Sequence, residues 1–331
     1  MNKSKMMIGA LFVVLVLLAG SCFLVFGDSL GLSTFANADQ YTAGDTDISS
    51  AVENLDIEWT SGAVNLEYHA GSGVTVSETA NRTLSEDEKL RWWMDGNTLR
   101  VRYCKPGLNI HFNLNKVLTV SLPEGTALKK SNIDVTSADV NVPKLDADEI
   151  RFDTTSGNVK AEISTKKLDA SSTSGDMEIR RDGDIRSAVL GSTSGNITFT
   201  AASAENVDMK STSGGLNITL SGDVKKLHLD STSGTILADL ASADNAEFDS
   251  TSGDMTVTMQ SFKDLDLDAT SGNITLKLPE ISGFTLDLDA RPSKLHSSLA
   301  MTKKGDDQYV YGDGSARLRI DTTSGDIHID K

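Results

Sequence analysis

Aspartates recur at one fixed place in a repeated motif of this 331-residue sequence. Each lies four residues before a glycine that ends the tripeptide Thr-Ser-Gly, and the set comprises Asp153, Asp230, Asp249, Asp268 and Asp321. If these positions stack about 4.8 Å apart, neighbouring carboxylates repel by roughly 1 kcal/mol in water, and a cation could bind weakly along the column. The competing interpretation is a solvated acidic face that resists aggregation.

Other residue types give little support for catalysis. No two of the five histidines stand at ligand spacing in the sequence, and they are His69, His111, His228, His296 and His328. Without a cysteine pair beside them, a zinc site is not expected. The serine of Thr-Ser-Gly recurs without a Gly-x-Ser-x-Gly elbow, which indicates a structural role. The sequence therefore predicts no catalytic residue, no metal centre and no cofactor.

One enzymatic alternative stays open. Polysaccharide lyases and hydrolases can be built on a β-helix with only carboxylates, Arg or Lys, and in some cases Ca²⁺. Such an enzyme would need a localised cluster of Asp with Arg or Lys in one groove, and no single repeat of the sequence stands out in this way.

The Thr-Ser-Gly tripeptide is periodic. Its glycines are Gly62, Gly157, Gly175, Gly195, Gly214, Gly234, Gly253, Gly272 and Gly325, and the spacing from Gly157 to Gly272 is 18 to 20 residues. A period of this size is the signature of a repeat architecture. Apolar and polar residues alternate on both sides, as in Ile150 and Phe152 before Gly157 and Val159 and Ala161 after it, which is typical of strands with one buried face.

Each repeat thus reads as strand, tight turn, strand. A sharp corner between strands commonly needs a residue with positive φ, which glycine adopts without strain, and this is the role we expect for the repeated glycines. Two topologies fit: an antiparallel meander, or a solenoid in which each repeat is one coil. A meander would leave one face needing cover, and no amphipathic helix is available to supply it. The sequence favours an all-β fold, a β-solenoid (β-helix) of about 19-residue coils.

An N-terminal transmembrane helix precedes this fold. Residues 8–26 carry no charge and are long enough to cross a bilayer of about 30 Å. Lys3 and Lys5 precede the run and Asp28 follows it, which places residues 1–7 in the cytoplasm and the rest outside. Two alternatives are signal-peptide cleavage after Ala38 and lipid attachment at Cys22.

The pattern divides the exported part into a linker at residues 28–50, an N-terminal cap with irregular coils at 51–135, and a regular solenoid at 136–331 with an insertion near 291–307. The final strand, residues 326–330, is expected to be uncapped, so that a partner could add a strand there.

Charge limits the choice of partner. Without Lys3 and Lys5 the chain has 29 basic and 47 acidic residues, a formal charge of −18. Nucleic acids and anionic lipid head groups need a basic surface, so this balance disfavours both. Outside the membrane only Cys104 remains, so an intrachain disulfide cannot form there.

Four motifs together resemble a known family. They are residues 118–125 (Leu-Thr-Val-Ser-Leu-Pro-Glu-Gly), the Thr-Ser-Gly-Asn/Asp turns, residues 312–315 (Gly-Asp-Gly-Ser) and residues 321–329 (Asp-Thr-Thr-Ser-Gly-Asp-Ile-His-Ile). They resemble the bacterial putative-adhesin domain-of-unknown-function family, which includes LiaG-like envelope proteins, over about residues 50–331. The resemblance implies a β-solenoid on the outer side of the cytoplasmic membrane, and no catalytic residues transfer with it.

These observations predict a non-enzymatic, single-pass cell-surface protein whose C-terminal domain lies outside the cytoplasmic membrane. It would be an adhesin or an envelope-stress-associated scaffold whose partner is a protein or a cell-wall glycan.

Overall fold

The computed structural model describes residues 32–33, 35–108, 114–290 and 295–331. The regular structure in these ranges is β-strand, apart from one 3₁₀ helix at Ala38–Gln40, which confirms the all-β prediction. No helix in these ranges is long and apolar enough to cross a membrane. The apolar run at residues 8–26 lies outside the described residues.

The strands fall into three groups along the chain. The N-terminal strands are β1 (Leu32–Ser33), β2 (Thr42–Ala43), β3 (Thr46–Ile48), β4 (Asn54–His69), β5 (Val74–Ala80), β6 (Arg91–Asp95), β7 (Thr98–Arg102), β8 (Gly107–Leu108) and β9 (Lys116–Pro123). The central strands are β10 (Leu128–Thr154), β11 (Val159–Ser164), β12 (Lys167–Ser172), β13 (Met177–Arg181), β14 (Ile185–Ser192), β15 (Ile197–Ala201), β16 (Ala204–Ser211), β17 (Leu216–Ser231), β18 (Ile236–Ser250), β19 (Met255–Ala269) and β20 (Ile274–Lys277). The C-terminal strands are β21 (Gly283–Ala290), β22 (Leu295–Ser297), β23 (Thr302–Lys303), β24 (Gln308–Gly312), β25 (Ala316–Thr322) and β26 (Ile327–Asp330).

Successive repeats stack in parallel, which confirms the solenoid. Residues one repeat apart are register partners, as in the series Leu229, Phe248 and Leu267 across β17, β18 and β19. The strand segments that come directly before the Thr-Ser-Gly turns form one wall of the rod, which we call the leading wall. The strand segments that come directly after these turns form the opposite wall, which we call the trailing wall. The parallel hydrogen bonds of both walls run along the rod axis, so each coil supplies pairing that the next coil needs.

The core is a continuous column between the two walls. The inward positions that the alternation singled out are buried throughout, and Phe152, Phe199 and Phe248 are fully so. Each large buried side chain contributes about 1.5–3 kcal/mol relative to exposure. A row of hydroxyls, one residue before the Thr-Ser-Gly tripeptide, lines the corner: Ser231 and Ser250, for example, donate to the carbonyls of Gly234 and Gly253 at 2.8 and 2.7 Å.

The repeated glycines serve close approach between coils, which corrects the expected reason for their presence. Only Gly62 and Gly325 of the set have positive φ, 101° and 142°. At Gly234 an added Cβ would lie 1.9 Å from the carbonyl oxygen of Gly214, and at Gly253 it would lie 1.9 Å from that of Gly234. A side chain is excluded because each corner rests directly on the backbone of the corner before it.

Asn and Asp after the glycine form a ladder along this corner. The backbone N–H of Asn196 donates to Asp176 Oδ1 at 2.7 Å, and that of Gly215 donates to Asn196 Oδ1 at 2.9 Å. These residues therefore link adjacent coils through side-chain acceptors.

At both ends the order of stacking departs from the order of the chain. β4 lies between β10 and the coil formed by β7 and β9. At the other end, β25 and β26 lie between β19 and β20 on one side and β21 and β22 on the other. The final strand is paired along both edges, so the expectation of an uncapped strand at residues 326–330 is wrong.

Antiparallel strands cover the terminal coils. β5 pairs with β9, β6 with β7, and β24 with β21. Residues 42–48, which the composition placed in a linker, contribute β2 and β3 to this cover by pairing with β6 and β5. Covered edges are less able to recruit other strands.

Candidate functional site

The outward side of the leading wall carries an acidic row near its C-terminal end. Asp230, Asp249, Asp268 and Asp321 occupy one register position on consecutive strands, and Asp289 on β21 continues the row. Four of the five aspartates predicted as a column are thus neighbours. Asp289 was missed because no Thr-Ser-Gly follows it.

The fifth predicted aspartate, Asp153, lies apart from this row. Ser171, Gly191 and Lys210 occupy the register positions between it and Asp230. Its carboxylate accepts a hydrogen bond from the hydroxyl of Ser171, and it also forms a salt bridge with Arg151 at 2.5 Å. Asp153 is therefore neutralised locally, separately from the acidic row.

His228 lies at the centre of the acidic face. Its Nδ1 is 3.2 Å from Asp208 Oδ1 and its Nε2 is 3.2 Å from Asp249 Oδ2. These two hydrogen bonds raise the pKa of His228 to about 10, so the ring is an imidazolium at neutral pH. Burial is the largest single influence on the pKa of Asp208 and raises it, but the hydrogen bonds and charges of His228 and Lys210 together outweigh burial, and the net shift is downward.

Three carboxyls near His228 ionise less readily than usual. Burial, followed by repulsion from Asp321 and Asp249, raises the pKa of Asp268 to about 6. Burial is also the largest cause of the raised pKa of Asp230 and Asp266. Asp230 and Asp268 therefore gain from any arriving positive charge, because that charge offsets the cost of burying a carboxylate and its repulsion by neighbouring carboxylates.

A metal ion is one kind of cation that side chains on this face could bind. His228, Glu247 and Asp249 each offer a ligand atom, and these atoms lie within 4.8 Å of one another. The ion would have to displace the imidazole proton, so binding competes with protonation and weakens as the pH falls.

A groove of about 580 Å³ runs over this face from β14 to β25. Asp264 and Asp266 line it opposite Arg317 and Arg319. These ion pairs are loose: Arg317 Nη1 is 3.9 Å from Asp264 Oδ2, and Arg319 Nη1 is 3.5 Å from Asp266 Oδ2. Loose, exposed ion pairs contribute little to stability, so these side chains can exchange their present ion-pair partners for groups on a binding partner with little loss of stability.

The trailing wall has a different chemistry. Its outward positions on β15, β17, β19 and β20 carry hydroxyls and an amide, namely Thr198, Asn217, Thr256 and Thr275. Leu237 lies in the same row and is 47% exposed. The acidic charge of these coils is therefore concentrated on the leading wall.

Three solved structures of bacterial proteins are similar to the chain. A putative cell adhesion protein from Clostridium sporogenes is 12% identical and has a TM-score of 0.20, with 88% of this chain and 99% of that chain covered. A putative adhesin from Bacteroides fragilis is 15% identical, with 87% and 96% covered and a TM-score of 0.32. A putative lipid binding protein from Parabacteroides distasonis is 18% identical, with 88% and 97% covered and a TM-score of 0.37.

A comparison with proteins of curated function finds no match. A family model described as Toastrack DUF4097 matches residues 52–264 and 251–330. Together these segments cover most of the sequence and nearly all of the solenoid, and the chain belongs to the Toastrack DUF4097 family.

Proposed function

We propose that the chain is a non-enzymatic binding module of the bacterial cell surface, an adhesin or an envelope-stress-associated scaffold. Residues 8–26 would anchor it in the cytoplasmic membrane as a single-pass protein, with the solenoid outside. The observation that carries the proposal is the uninterrupted acidic row beside the groove, on a rod whose opposite wall is largely neutral. A rigid face with segregated charge is suited to recognising a partner with complementary charge.

The partner would present positive groups to the leading wall. Basic segments of a surface protein or the amino groups of a cell-wall glycan meet this requirement. The raised pKa of Asp268 supports this choice, because a cationic partner would relieve the cause of the shift. Nucleic acid does not fit an acidic surface.

A charge-neutralising variant tests the role of the acidic face. We expect the triple variant Asp249→Asn, Asp268→Asn, Asp321→Asn in the full-length chain to bind a lysine-rich peptide and isolated cell walls at least tenfold more weakly. A matched control replaces Asp182, Asp239 and Asp306 with Asn, because these exposed aspartates lie outside the row. Equal loss of binding in both variants would show that net charge, and not the acidic row, causes the effect. No loss in either variant would also refute the proposal.

The anchor has its own test. Membrane fractionation of the full chain, compared with a variant lacking residues 1–31, should show membrane retention only for the full chain. N-terminal sequencing would detect cleavage after Ala38, and mass spectrometry would detect acylation of Cys22. Either modification would replace the retained helix.

A second candidate function, a glycan-cleaving enzyme, is favoured by one observation. The groove brings Asp264 and Asp266 together with Arg317 and Arg319, which is the localised cluster that such an enzyme needs. The test is to incubate the full-length chain with wall and capsular glycans, with and without Ca²⁺, and to assay for new chain ends. New ends that disappear in Asp266→Asn would establish the enzyme, and their absence would leave the binding module.

A further inference from the structure

Two histidines that are far apart in the sequence lie side by side on the trailing wall. β22 stacks on β26 in parallel, with His296 and His328 as register partners. Their ring centroids are 5.0 Å apart and the ring planes differ by 16°. The spacing in the sequence gave no sign of this pair, because the last residues of the chain insert beneath a coil formed earlier.

The pair has free capacity to bind a ligand. The rings of His69 and His228 hydrogen-bond to Gly73 and to two aspartates, respectively. Within the described part of the chain, the rings of His296 and His328 contact each other and take part in no hydrogen bond. His296 is exposed and His328 is half-buried, so the pair faces solvent.

We propose that His296 and His328 together bind one divalent transition-metal ion, with water completing its coordination. Neutral imidazole is the commonest protein ligand for such metals and suits Cu²⁺, Ni²⁺ and Zn²⁺. Metal–nitrogen bonds of about 2.0–2.1 Å require the two ligating nitrogens to be about 3–4 Å apart. Rotation of the side chains from parallel rings on adjacent strands, which are about 4.8 Å apart, reaches this separation.

The ion would fasten the terminal coil of the rod. Among the described residues, β22 spans only Leu295–Ser297 and pairs with β26 alone. A metal bridge from β22 to β26 would join positions 32 residues apart in the sequence and hold this short strand in place. The site lies on the trailing wall, so the proposed metal binding does not depend on the proposed function of the acidic face.

Copper binding provides the direct test. The full-length chain, purified without a polyhistidine tag, is titrated with Cu²⁺, and the electron paramagnetic resonance spectrum is used to count the coordinating nitrogens. We expect two imidazoles in the wild type and one in either His296→Ala or His328→Ala, with affinity at least tenfold lower in each. Loss of both histidines should weaken binding little further than loss of one. His69→Ala is the matched control and should bind as the wild type does.

Two outcomes of the copper titration would overturn the proposal. One is an unchanged copper affinity and spectrum in both His296→Ala and His328→Ala. The other is loss of binding in His228→Gln alone, which would place the ion in the acidic groove. Hydrogen exchange distinguishes loss of the metal site from misfolding of a variant. Zn²⁺ should slow exchange of the amides of Leu295–Ser297 in the wild type but not in His296→Ala. The His296 side chain is exposed, so its removal should not disturb the core. Equal protection in the two proteins would also refute the site.

Discussion

A methyl group at one repeated glycine should disrupt the stacking of the rod. In Gly234→Ala, the new Cβ would lie 1.9 Å from the carbonyl oxygen of Gly214 and 2.5 Å from its carbonyl carbon. Ordinary contacts of a Cβ with such atoms are more than 1 Å longer, so the two corners must separate or the backbone must twist. The glycine above, Gly253, rests on Gly234 in the same way, and the displacement cannot be absorbed on that side.

The cost follows from the hydrogen bonds at this corner. Thr232 and Ser233 donate backbone hydrogen bonds of 3.0 and 2.9 Å to the coil below, and Ser231 donates its hydroxyl to the Gly234 carbonyl at 2.8 Å. Each is worth about 1 kcal/mol, and a buried group left unpaired costs about 1–3 kcal/mol. Overpacking adds about 1–3 kcal/mol. We therefore expect Gly234→Ala to lower the free energy of unfolding by about 3–5 kcal/mol.

Urea unfolding followed by circular dichroism measures this loss. Gly191→Ala is the matched control, because a Cβ at Gly191 would meet nothing within 4 Å. Gly234→Asn separates the two explanations of the glycine: Asn tolerates positive φ better than Ala does, but its bulk offers no relief from a close approach. An unfolding free energy of Gly234→Ala within about 1 kcal/mol of the wild type, or an Asn variant more stable than the Ala variant, would refute the close-approach argument.

Three further outcomes are expected. Lys116 is fully buried with its Nζ 2.7 Å from Glu78 Oε2, so Lys116→Met should cost about 3–5 kcal/mol in urea unfolding, and adding Glu78→Leu should recover much of it. The folded pKa of Asp268 lies above its ordinary value, so ionisation of this carboxyl opposes folding increasingly as the pH rises from its ordinary pKa through about 6. Asp268→Asn should therefore stabilise the protein by about 1 kcal/mol at pH 8, allowing for solvent screening, and should have no effect below the ordinary pKa of the carboxyl. Deleting residues 323–331 removes β26 from between β20 and β22, so proteolysis should then attack the terminal coil, whereas an unchanged digest would contradict the interior position.

Most of the central fold could be predicted from local pattern. A period-2 alternation fixes which side chains face inward, and a repeat of constant length fixes which residues stack. Phe248 is an example: its buried position and its register partners Leu229 and Leu267 all follow from counting residues from a glycine. The glycine itself was expected for the wrong reason, because the pattern shows that a side chain is forbidden but not whether φ or a neighbouring carbonyl forbids it.

The stacking order at the two ends of the rod could not be predicted, because counting residues from one repeat to the next relates only coils that are consecutive in the sequence. Gly62 lies 76 residues before Ala138 in the sequence, a multiple of the period, yet the two are direct register partners. The intervening chain forms β5 to β9, which cover and extend the end of the rod. At the C-terminal end the same kind of excursion hides Asp289 from the acidic row and brings His296 beside His328.

The candidate sites lie where the chain departs from its regular repeat. A position that recurs in nearly every coil, such as the glycine or the buried hydroxyl, is explained by stacking alone, because successive coils use it in the same way. The acidic row, by contrast, becomes continuous only where Lys210 gives way to Asp230 and its successors, and the single imidazole of His228 lies just there, among carboxylates. Stacking explains neither feature, since the coils built on β12 and β14 pair equally well with Ser171 and Gly191 in that row. Such departures cost the rod no pairing, so they are where binding chemistry can vary while the architecture stays the same.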